Sequence, residues 1–284
     1  MKRKVKFKPD TGVIISLVLA LFLIWGGFYL SYPNFFELQE KAKQVAEQKV
    51  EEQKGVTRAL AFGHLNLEAK AFAVYDIETG ELIAGRQEKQ VLPLASITKV
   101  MTALVASDDL GPKMAVAINQ TTSANNGGLR QGEKWSFTNL VALTLVSSSN
   151  DGAMALARAS QNQTGQNNFV NLMNEKSQTL GLGDLYFTNP TGLDDELDNG
   201  VTLGGQGSAL SIAKLFSYII KTKPELLSAT RESVIKEKSL DNFNHTVLNT
   251  NEIIRDIPGL LASKTGLTDL AGGNLVIVAN LGLR

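Results

Sequence analysis

A serine and a lysine stand three residues apart in "LASITKVMTALVA", residues 94–106, at the head of an apolar stretch. A serine hydroxyl is a poor nucleophile until a nearby base takes its proton, and residues at i and i+3 of a helix lie on one face. The first turn of a helix also has free backbone N–H groups that can hold developing negative charge. Ser96 and Lys99 are therefore a candidate nucleophile and base for acyl transfer.

The S-x-x-K spacing alone is weak evidence, because it recurs elsewhere in the chain. Two further matches are Ser211 with Lys214 and Ser233 with Lys236. K-T-G occurs once, whereas an S-x-N spacing occurs three times, beginning at Ser123, Ser148 and Ser160. Only the order of these motifs along the chain and their structural setting can distinguish an active site from chance matches.

The elements at Ser96, Ser148 and Lys264 have a suitable order and setting. Ser96 begins a helical pattern, and the S-x-N element at Ser148 and Asn150 lies in a loop between two helical patterns. Lys264 lies in the apolar strand pattern "GLLASKTG". S-x-x-K, an S-D-N type element and K-T-G together are the signature of β-lactamases and penicillin-binding proteins. The combination therefore favours a serine enzyme that forms an acyl intermediate.

Four longer blocks extend the similarity beyond these motifs: "VYDIETGELIAGRQEKQVLPLASITKVMTALVA", "LRQGEKWSFTNLVALTLVSSSNDGAMALA", "LGLGDLYFTNPTGLD" and "LNTNEIIRDIPGLLASKTGLTDLAGGNLVIVA". Together they resemble the D-alanyl-D-alanine carboxypeptidases, the low-molecular-mass penicillin-binding proteins of serine peptidase type, over residues 67–284. The resemblance implies that the protein removes the terminal D-alanine from peptidoglycan stem peptides ending in D-Ala-D-Ala. It also implies covalent inhibition by β-lactam antibiotics.

Carried onto this sequence, the family pattern implies a role for each motif residue. Ser96 would attack the D-Ala-D-Ala carbonyl and form an acyl-enzyme, with Lys99 as its base. Ser148 would relay a proton to the leaving amine, and Asn150 would hold a substrate amide and help to position Lys99. Lys99 must be neutral when it acts, and we expect burial and the nearby Lys264 to lower its pKa.

The resemblance also implies that the K-T-G strand binds the end of the substrate. Lys264 would pair with the free C-terminal carboxylate, and the Thr265 hydroxyl would add a contact. Gly266 would let the substrate backbone lie close along the strand. The family's oxyanion hole maps to the backbone N–H groups of Ser96 and Leu267, so the side chain at position 267 matters little.

The remaining patterns predict an α+β domain of the β-lactamase and penicillin-binding type. "AKAFAVYDIETGELIAGR" alternates apolar and polar residues on either side of Gly80, which predicts a hairpin with strands near 70–76 and 81–85. Residues from about 96 to 218 are mostly helical in pattern, and strand character returns in "GLLASKTG" and "GNLVIVANL". We therefore expect strands from both ends of the domain to meet in one antiparallel sheet, flanked by helices, with a large helical insertion.

The family pattern continues beyond the K-T-G region with another strand and a terminal helix, followed by a β domain and a C-terminal membrane helix. Here only residues 273–281 have the pattern of a further strand. We therefore expect the family's last strand and helix to be missing, which would leave the sheet with an apolar, unpaired edge.

The N-terminal region predicts a membrane anchor. Residues 13–31 are apolar, uncharged and long enough for a membrane-spanning helix, and five cations lie among residues 1–12. By the positive-inside rule this basic tail stays in the cytoplasm, which places the catalytic domain on the outer face of the cell membrane in a single-pass protein. A cleavable signal peptide is the alternative, but residues 32–39 offer no small-x-small cleavage site. Residues 32–66, rich in Glu, Lys, Gln and Ala, predict a helical stalk.

Composition argues against several other classes of protein. The chain has 28 basic and 28 acidic side chains, and this zero formal charge gives no reason to expect a nucleic-acid partner. It has no cysteine, so disulfides, thiol chemistry and thiolate metal sites are excluded. His64 and His245 lie far apart and fit no metal-binding pattern, which favours structural or surface roles. We therefore expect no metal and no cofactor.

Three alternatives to a carboxypeptidase stay open. A class A β-lactamase needs a Glu that activates the deacylating water, and "GLDDELDNG" offers the acids Asp194, Asp195 and Glu196, which also suit a solvated loop. A D,D-endopeptidase would use the same residues on another bond. A non-catalytic scaffold that binds peptidoglycan would have no need of the full set of motif residues.

Overall fold

A computed structural model describes residues 37, 39–49, 67–122, 127–165, 168–197, 200–280 and 282. The chain divides into two compact units, residues 1–66 and 67–284. In the first unit, residues 39–49 are helical with exposed side chains. The predicted membrane segment, residues 13–31, lies outside the described residues. Within the part of the chain that is described, no helix combines the length and hydropathy needed to span a bilayer.

The second unit is an α+β domain. Its helices are α1 (Thr98–Asp109), α2 (Phe137–Val146), α3 (Asn150–Thr164), α4 (Phe169–Thr179) and α5 (Ala209–Thr222). The N-terminal strands are β1 (Phe72–Tyr75), β2 (Leu82–Arg86), β3 (Leu92–Pro93), β4 (Ala115–Ala117), β5 (Lys134–Ser136) and β6 (Tyr186–Phe187). The later strands are β7 (Asp195–Leu197), β8 (Gly200–Thr202), β9 (Gly205–Gly207), β10 (Val234–Lys238), β11 (Asn244–Leu248), β12 (Leu260–Thr268) and β13 (Gly272–Ala279). Short 3₁₀ turns cover Ala95–Ile97, Pro224–Leu226, Ser228–Arg231 and Ile254–Asp256.

The N-terminal hairpin forms where the alternating pattern predicts it. β1 and β2 pair antiparallel, with Phe72 opposite Arg86. The Asp76 side chain accepts hydrogen bonds from the backbone N–H groups of Glu78 and Thr79, and Gly80 takes the positive φ of 77° that the turn requires. The hairpin packs against α5 through β1.

The sheet differs from the expected single antiparallel layer. β1 pairs with β2 and β12 pairs with β13, each as a two-stranded unit, and no described strand joins the two pairs. The prediction that strands from both ends of the domain share one hydrogen-bonded sheet is therefore not met within the described residues. A hairpin needs only two strands joined by a short turn, so each end can form its own, whereas a shared sheet also requires a strand of one hairpin to pair with a strand of the other.

The helical region encloses α1 at its centre. Every residue from 98 to 106 is buried, because this helix is apolar on nearly all sides and contacts α2, α3 and α4. The few polar residues of this helix are therefore buried as well. One of them, Thr102, donates a hydrogen bond from Oγ1 to the Pro190 carbonyl at 2.7 Å. The candidate nucleophile and base lie at the start of this buried helix.

Candidate active site

Ser96 lies in the 3₁₀ turn Ala95–Ile97, directly before α1 begins at Thr98. Lys99 is in the first turn of α1, and its Nζ lies 2.7 Å from Ser96 Oγ, within hydrogen-bond distance. Ala95 has a φ of 47°, in the left-handed region that residues with a side chain rarely adopt. Such backbone strain is common at functional sites, where the surrounding structure over-determines it. The turn therefore presents the serine beside the amine as the sequence spacing predicts.

Lys99 is completely buried, with no exposed surface. This burial, together with the positive charge of Lys264, holds the pKa of Lys99 well below its usual value. A lysine in that environment can be neutral and accept a proton, which is the property a general base needs. Its Nζ makes a second hydrogen bond, to the Thr191 carbonyl at 2.7 Å.

A second serine and lysine pair forms between distant parts of the chain. Ser148 lies in the loop between α2 and α3, with a φ of 60°, a second strained residue in the site. The Nζ of Lys264, on β12, donates to Ser148 Oγ at 2.9 Å and to the Thr265 carbonyl at 2.7 Å. Lys264 is 2% exposed, and burial lowers its pKa to about 7.

The K-T-G strand runs directly beside the turn that carries Ser96. β12 contacts this turn, and a Cβ at Gly266 would lie 3.0 Å from both the Leu94 carbonyl oxygen and the Ser96 nitrogen. A side chain there would crowd the backbone of the nucleophile, so glycine permits the close approach. Leu267 follows immediately, and its side chain points into solvent, 75% exposed.

The sequence-predicted site residues are thus largely gathered in one place. Hydrogen bonds join Ser96 to Lys99 and Ser148 to Lys264, and Gly266 lies where a Cβ would crowd the backbone of Ser96. Asn150 is the first residue of α3, two positions after Ser148, while Ser149 caps that helix by accepting from the Gly152 N–H at 3.0 Å. The roles assigned to these residues stay predictions, and the geometry is compatible with them.

The competing S-x-x-K matches have no such geometry. Ser211 is buried within α5, whereas Lys214 is exposed on it. Ser233 directly precedes β10, where Lys236 is exposed, and the Ser233 hydroxyl accepts from Arg255. Among the other S-x-N serines, Ser160 lies within α3, where it donates to Asp109, and Ser123 is outside the described residues.

Two groups at the site are absent from the sequence prediction. The Thr191 carbonyl bonds to Lys99, and the Thr250 hydroxyl lies 2.5 Å from that of Thr265. Thr250 also donates its backbone N–H to the Val146 carbonyl at 3.2 Å, which ties it to the end of α2. A backbone carbonyl leaves no trace in residue type, and a lone threonine in a loop carries no recognisable pattern, so only the fold identifies them.

The acids of the "GLDDELDNG" loop have structural partners. Asp194 accepts from the Thr268 hydroxyl at 2.6 Å and from the Gly204 N–H at 3.2 Å. Asp195 accepts from the Asn189 amide at 3.1 Å. These hydrogen bonds favour the interpretation of both acids as loop residues over a role in activating water.

His245 has a structural setting. It is buried, and its Nε2 lies 2.7 Å from a carboxylate oxygen of Glu133, with the Trp135 ring packed beside it. Burial raises the pKa of Glu133, but hydrogen bonds from His245 and Ser239 outweigh that effect and leave the pKa below its usual value. His64 lies outside the described residues, and within those residues no cluster of three or more metal-ligating side chains occurs.

Comparison with known proteins identifies the family. A model of the family described as D-alanyl-D-alanine carboxypeptidase matches residues 56–282. The chain belongs to this family. Membership confirms the predicted class of enzyme, a serine-type D-Ala-D-Ala carboxypeptidase.

Individual relatives agree with the family assignment. D-alanyl-D-alanine carboxypeptidase DacB2 of Mycobacterium tuberculosis is 31% identical over 222 residues, which cover 76% of this chain and 72% of the relative. A D-alanyl-D-alanine endopeptidase of Pseudomonas aeruginosa is 32% identical over 213 residues, covering 72% of this chain and 64% of the relative. The match to another carboxypeptidase, DacF of Bacillus subtilis, covers only 51% of that protein. The chain therefore spans about half to three quarters of these relatives.

A solved structure shows the same fold. Penicillin-binding protein D2 of Listeria monocytogenes, in an ampicillin-bound form, is similar with a TM-score of 0.65 and 27% identity. The match covers 77% of this chain and 87% of that one. The predicted α+β penicillin-binding fold is thus confirmed for the carboxypeptidase domain.

Proposed function

We propose that this chain removes the terminal D-alanine from peptidoglycan stem peptides through an acyl-enzyme on Ser96. The observation that carries the proposal is the buried Lys99 Nζ, 2.7 Å from Ser96 Oγ, with its pKa well below the usual value because of burial and Lys264. This arrangement supplies a base that loses its own proton at a lower pH than an exposed lysine does and can then take the hydroxyl proton.

In the first step, Ser96 Oγ forms a bond to the carbonyl carbon of the penultimate D-alanine while Lys99 takes the hydroxyl proton. The C–N bond to the terminal D-alanine then breaks, and Ser148 relays the proton held by Lys99 to the departing amine, which returns Lys99 to its neutral form. The backbone N–H groups of Ser96 and Leu267 would stabilise the oxyanion between these events. Water then attacks the ester, which releases the shortened peptide and restores the serine hydroxyl.

The K-T-G strand would select a free chain end. Lys264 brings a positive charge to the site, and the paired hydroxyls of Thr265 and Thr250 can rotate to donate to a carboxylate. Asn150, at the start of α3, would bind the substrate amide. These groups favour a carboxypeptidase over an endopeptidase that cleaves an internal bond, because they offer partners for a terminal carboxylate.

Labelling with a fluorescent penicillin tests the acyl-enzyme. We expect a covalent band with the wild-type chain, no band with Ser96→Ala, and a normal band with Ser233→Ala, a serine from another S-x-x-K match. A band that persists in Ser96→Ala would show that another residue is acylated. No band in a well-folded wild-type chain would support a non-catalytic scaffold.

The released product separates the remaining alternatives. With a synthetic peptide ending in D-Ala-D-Ala, we expect free D-alanine, and with a cross-linked dimer of stem peptides we expect much slower cleavage. Faster cleavage of the dimer would favour an endopeptidase. Rapid turnover of penicillin, in place of a persistent adduct, would favour the β-lactamase alternative and a role in deacylation for the acids near Asp194.

We also propose that residues 13–31 anchor the chain in the cell membrane, with residues 1–12 in the cytoplasm and the catalytic domain outside. Their uncharged, apolar composition and the five preceding cations support this proposal. The full chain should stay with membranes through an alkaline carbonate wash, and a version lacking residues 1–31 should be soluble. Recovery of the full chain in the wash would contradict the anchor.

A further inference from the structure

The side chain of Asn189 organises the loop that faces the candidate base. Its Oδ1 accepts three hydrogen bonds, from the Thr191 N–H at 3.0 Å, the Thr191 hydroxyl at 2.8 Å and the Gly192 N–H at 2.8 Å. Its Nδ2 donates to the Leu193 carbonyl at 2.8 Å and to Asp195 at 3.1 Å. One amide thus holds almost the whole loop from 189 to 195.

One of these hydrogen bonds fixes the peptide group that contacts Lys99. The Thr191 carbonyl and the Gly192 N–H belong to the same planar trans peptide, in which the two groups point in opposite directions. Asn189 therefore holds the N–H side of this peptide, while Lys99 Nζ lies at 2.7 Å on the carbonyl side. A rotation of the peptide would break both contacts at once.

Packing around this peptide supports the same orientation. Gly192 has a φ of 77°, and a Cβ there would lie 2.0 Å from the carbonyl oxygen of Ala95, the residue before the nucleophile. The neighbouring Pro190 carbonyl accepts from Thr102 of α1. The loop is thus packed against both the turn that carries Ser96 and the helix that carries Lys99, which leaves little room for the Thr191 carbonyl to move.

We infer that Asn189 is a positioning residue for acyl transfer, because it aims the Thr191 carbonyl at Lys99 and so directs the amine towards Ser96. The inference rests on the proposed function, in which Lys99 is the base. A neutral amine has two N–H groups and one lone pair. With one N–H donated to the Thr191 carbonyl, the lone pair is free to face the Ser96 hydroxyl. Without this acceptor, the amine can rotate about its last carbon bond and lose that alignment.

The charged groups around Lys99 determine how a substitution at Asn189 would change the pKa of Lys99. Lys264 on β12 is the cation that acts on Lys99. The nearby carboxylates of the loop are held elsewhere, Asp194 by Thr268 and Asp195 by Asn189, and Asp151 on α3 accepts from Thr122. A hydrogen bond to an ammonium favours its charged form, so loss of the carbonyl contact should lower the pKa of Lys99 further.

The test is the pH dependence of the second-order rate at which a fluorescent penicillin acylates the chain. In Asn189→Ala we expect the rate to fall about tenfold or more, because misplacing a catalytic group by about 1 Å can cost about 10²-fold. We also expect the rising limb of the profile, which reports deprotonation of Lys99, to move to lower pH. A loss of loop stability alone would not move that limb.

Asn174→Ala is the matched control. Asn174 also uses its side-chain amide to hold backbone, since it donates to the Phe187 carbonyl and accepts from the Phe187 N–H, both at 2.9 Å. Both of these hydrogen bonds are to Phe187 and neither is to the Thr191 peptide. We expect this variant to lose thermal stability by an amount similar to that in Asn189→Ala, but to keep the wild-type pH profile.

A double variant, Asn189→Asp with Asp195→Asn, guards against a variant that simply fails to fold. It exchanges the two partners, keeps the net charge and keeps an acceptor oxygen at position 189 for the Thr191 and Gly192 N–H groups. We expect the rate to recover part of the loss seen in Asn189→Ala, because the acceptor is kept while the hydrogen bond to the Leu193 carbonyl is lost. The carboxylate now lies closer to Lys99 and favours its charged form, so the rising limb should move to higher pH than in the wild type.

Opposite shifts of the limb in the two variants, with none in the control, would establish the positioning role. Unshifted limbs in both folded variants, with the wild type labelled normally, would overturn this inference and leave the proposed function intact. Absence of labelling in the wild type would instead overturn the proposed function itself. A shift in Asn174→Ala equal to that in Asn189→Ala would assign the effect to general loosening and would also overturn the inference.

Discussion

The two serine and lysine pairs of the site reach similar distances by different routes. Lys99 and Ser96 are three residues apart, and one turn of chain at the start of α1 brings them to 2.7 Å. Lys264 and Ser148 are 116 residues apart, and they meet at 2.9 Å only because β12 lies beside the loop between α2 and α3. The first pair therefore depends on local geometry, and the second depends on the whole domain.

The two lysines also differ in their expected charge. Both are buried, and burial lowers the pKa of both; the cation of Lys264 lowers the pKa of Lys99 further, whereas burial alone lowers that of Lys264 to about 7. Two ammonium groups in one dry site repel each other, so one lysine keeps its proton at the expense of the other. We therefore expect Lys264 to keep the Lys99 amine neutral, in addition to its proposed role in binding the substrate carboxylate.

Removing the base should have the largest effect. Lys99→Met keeps a long apolar side chain in the core but has no amine, so acylation by a fluorescent penicillin should slow by about 10²- to 10⁴-fold, the usual contribution of a general base. Lys214→Met, at an exposed lysine of another S-x-x-K match, is the control and should react normally. Wild-type labelling of a folded Lys99→Met chain would remove Lys99 from the mechanism.

Removing the positive charge of Lys264 should have a smaller effect on the rate and should also shift the pH profile. In Lys264→Gln, a terminal carboxylate loses a charge-assisted contact of about 1.5–3 kcal/mol, which is roughly 10- to 100-fold in kcat/KM for a D-Ala-D-Ala peptide. Loss of the cation should also raise the pKa of Lys99 and move the rising limb of the pH profile to higher pH. If the rising limb stays at the same pH, the charge of Lys264 does not lower the pKa of Lys99.

The wild-type pH profile should separate the two lysines directly. Lys99 must lose its proton, so activity rises with pH through the pKa of Lys99; Lys264 must keep its proton, so activity falls above its pKa of about 7. Above that point kcat/KM should fall about tenfold per pH unit, as for a single titrating group. Lys264→Arg keeps its charge at all these pH values and should lose the falling limb. A falling limb that survives in this variant belongs to another group.

The same contrast explains what the sequence could predict. Helical spacing makes Ser96 and Lys99 one of three possible pairs, the order of the motifs selects that pair, and alternation around Gly80 predicts the first hairpin. The second pair needed the family resemblance, because no local rule links residues 116 apart. The carbonyl of Thr191 could not be found at all, since every residue has a carbonyl and only the folded loop aims this one. The single sheet was predicted wrongly for the described strands because pairing between distant strands is not determined by their own patterns.

The smallest expected effect concerns Thr250, which contacts both the end of α2 and the K-T-G strand. Its backbone is bonded to the end of α2, and its hydroxyl lies 2.5 Å from that of Thr265 on the K-T-G strand. Thr250→Val keeps the shape and removes the hydroxyl, so a neutral hydrogen bond of about 1 kcal/mol is lost, which is about fivefold in KM for a peptide with a free carboxylate. The same peptide with an amidated end should change less, and Thr246→Val, at an exposed threonine of β11, should leave both substrates unaffected. If Thr250→Val weakens both substrates equally, the hydroxyl serves to hold the K-T-G strand against α2. In that case Lys264 and Thr265 alone recognise the carboxylate.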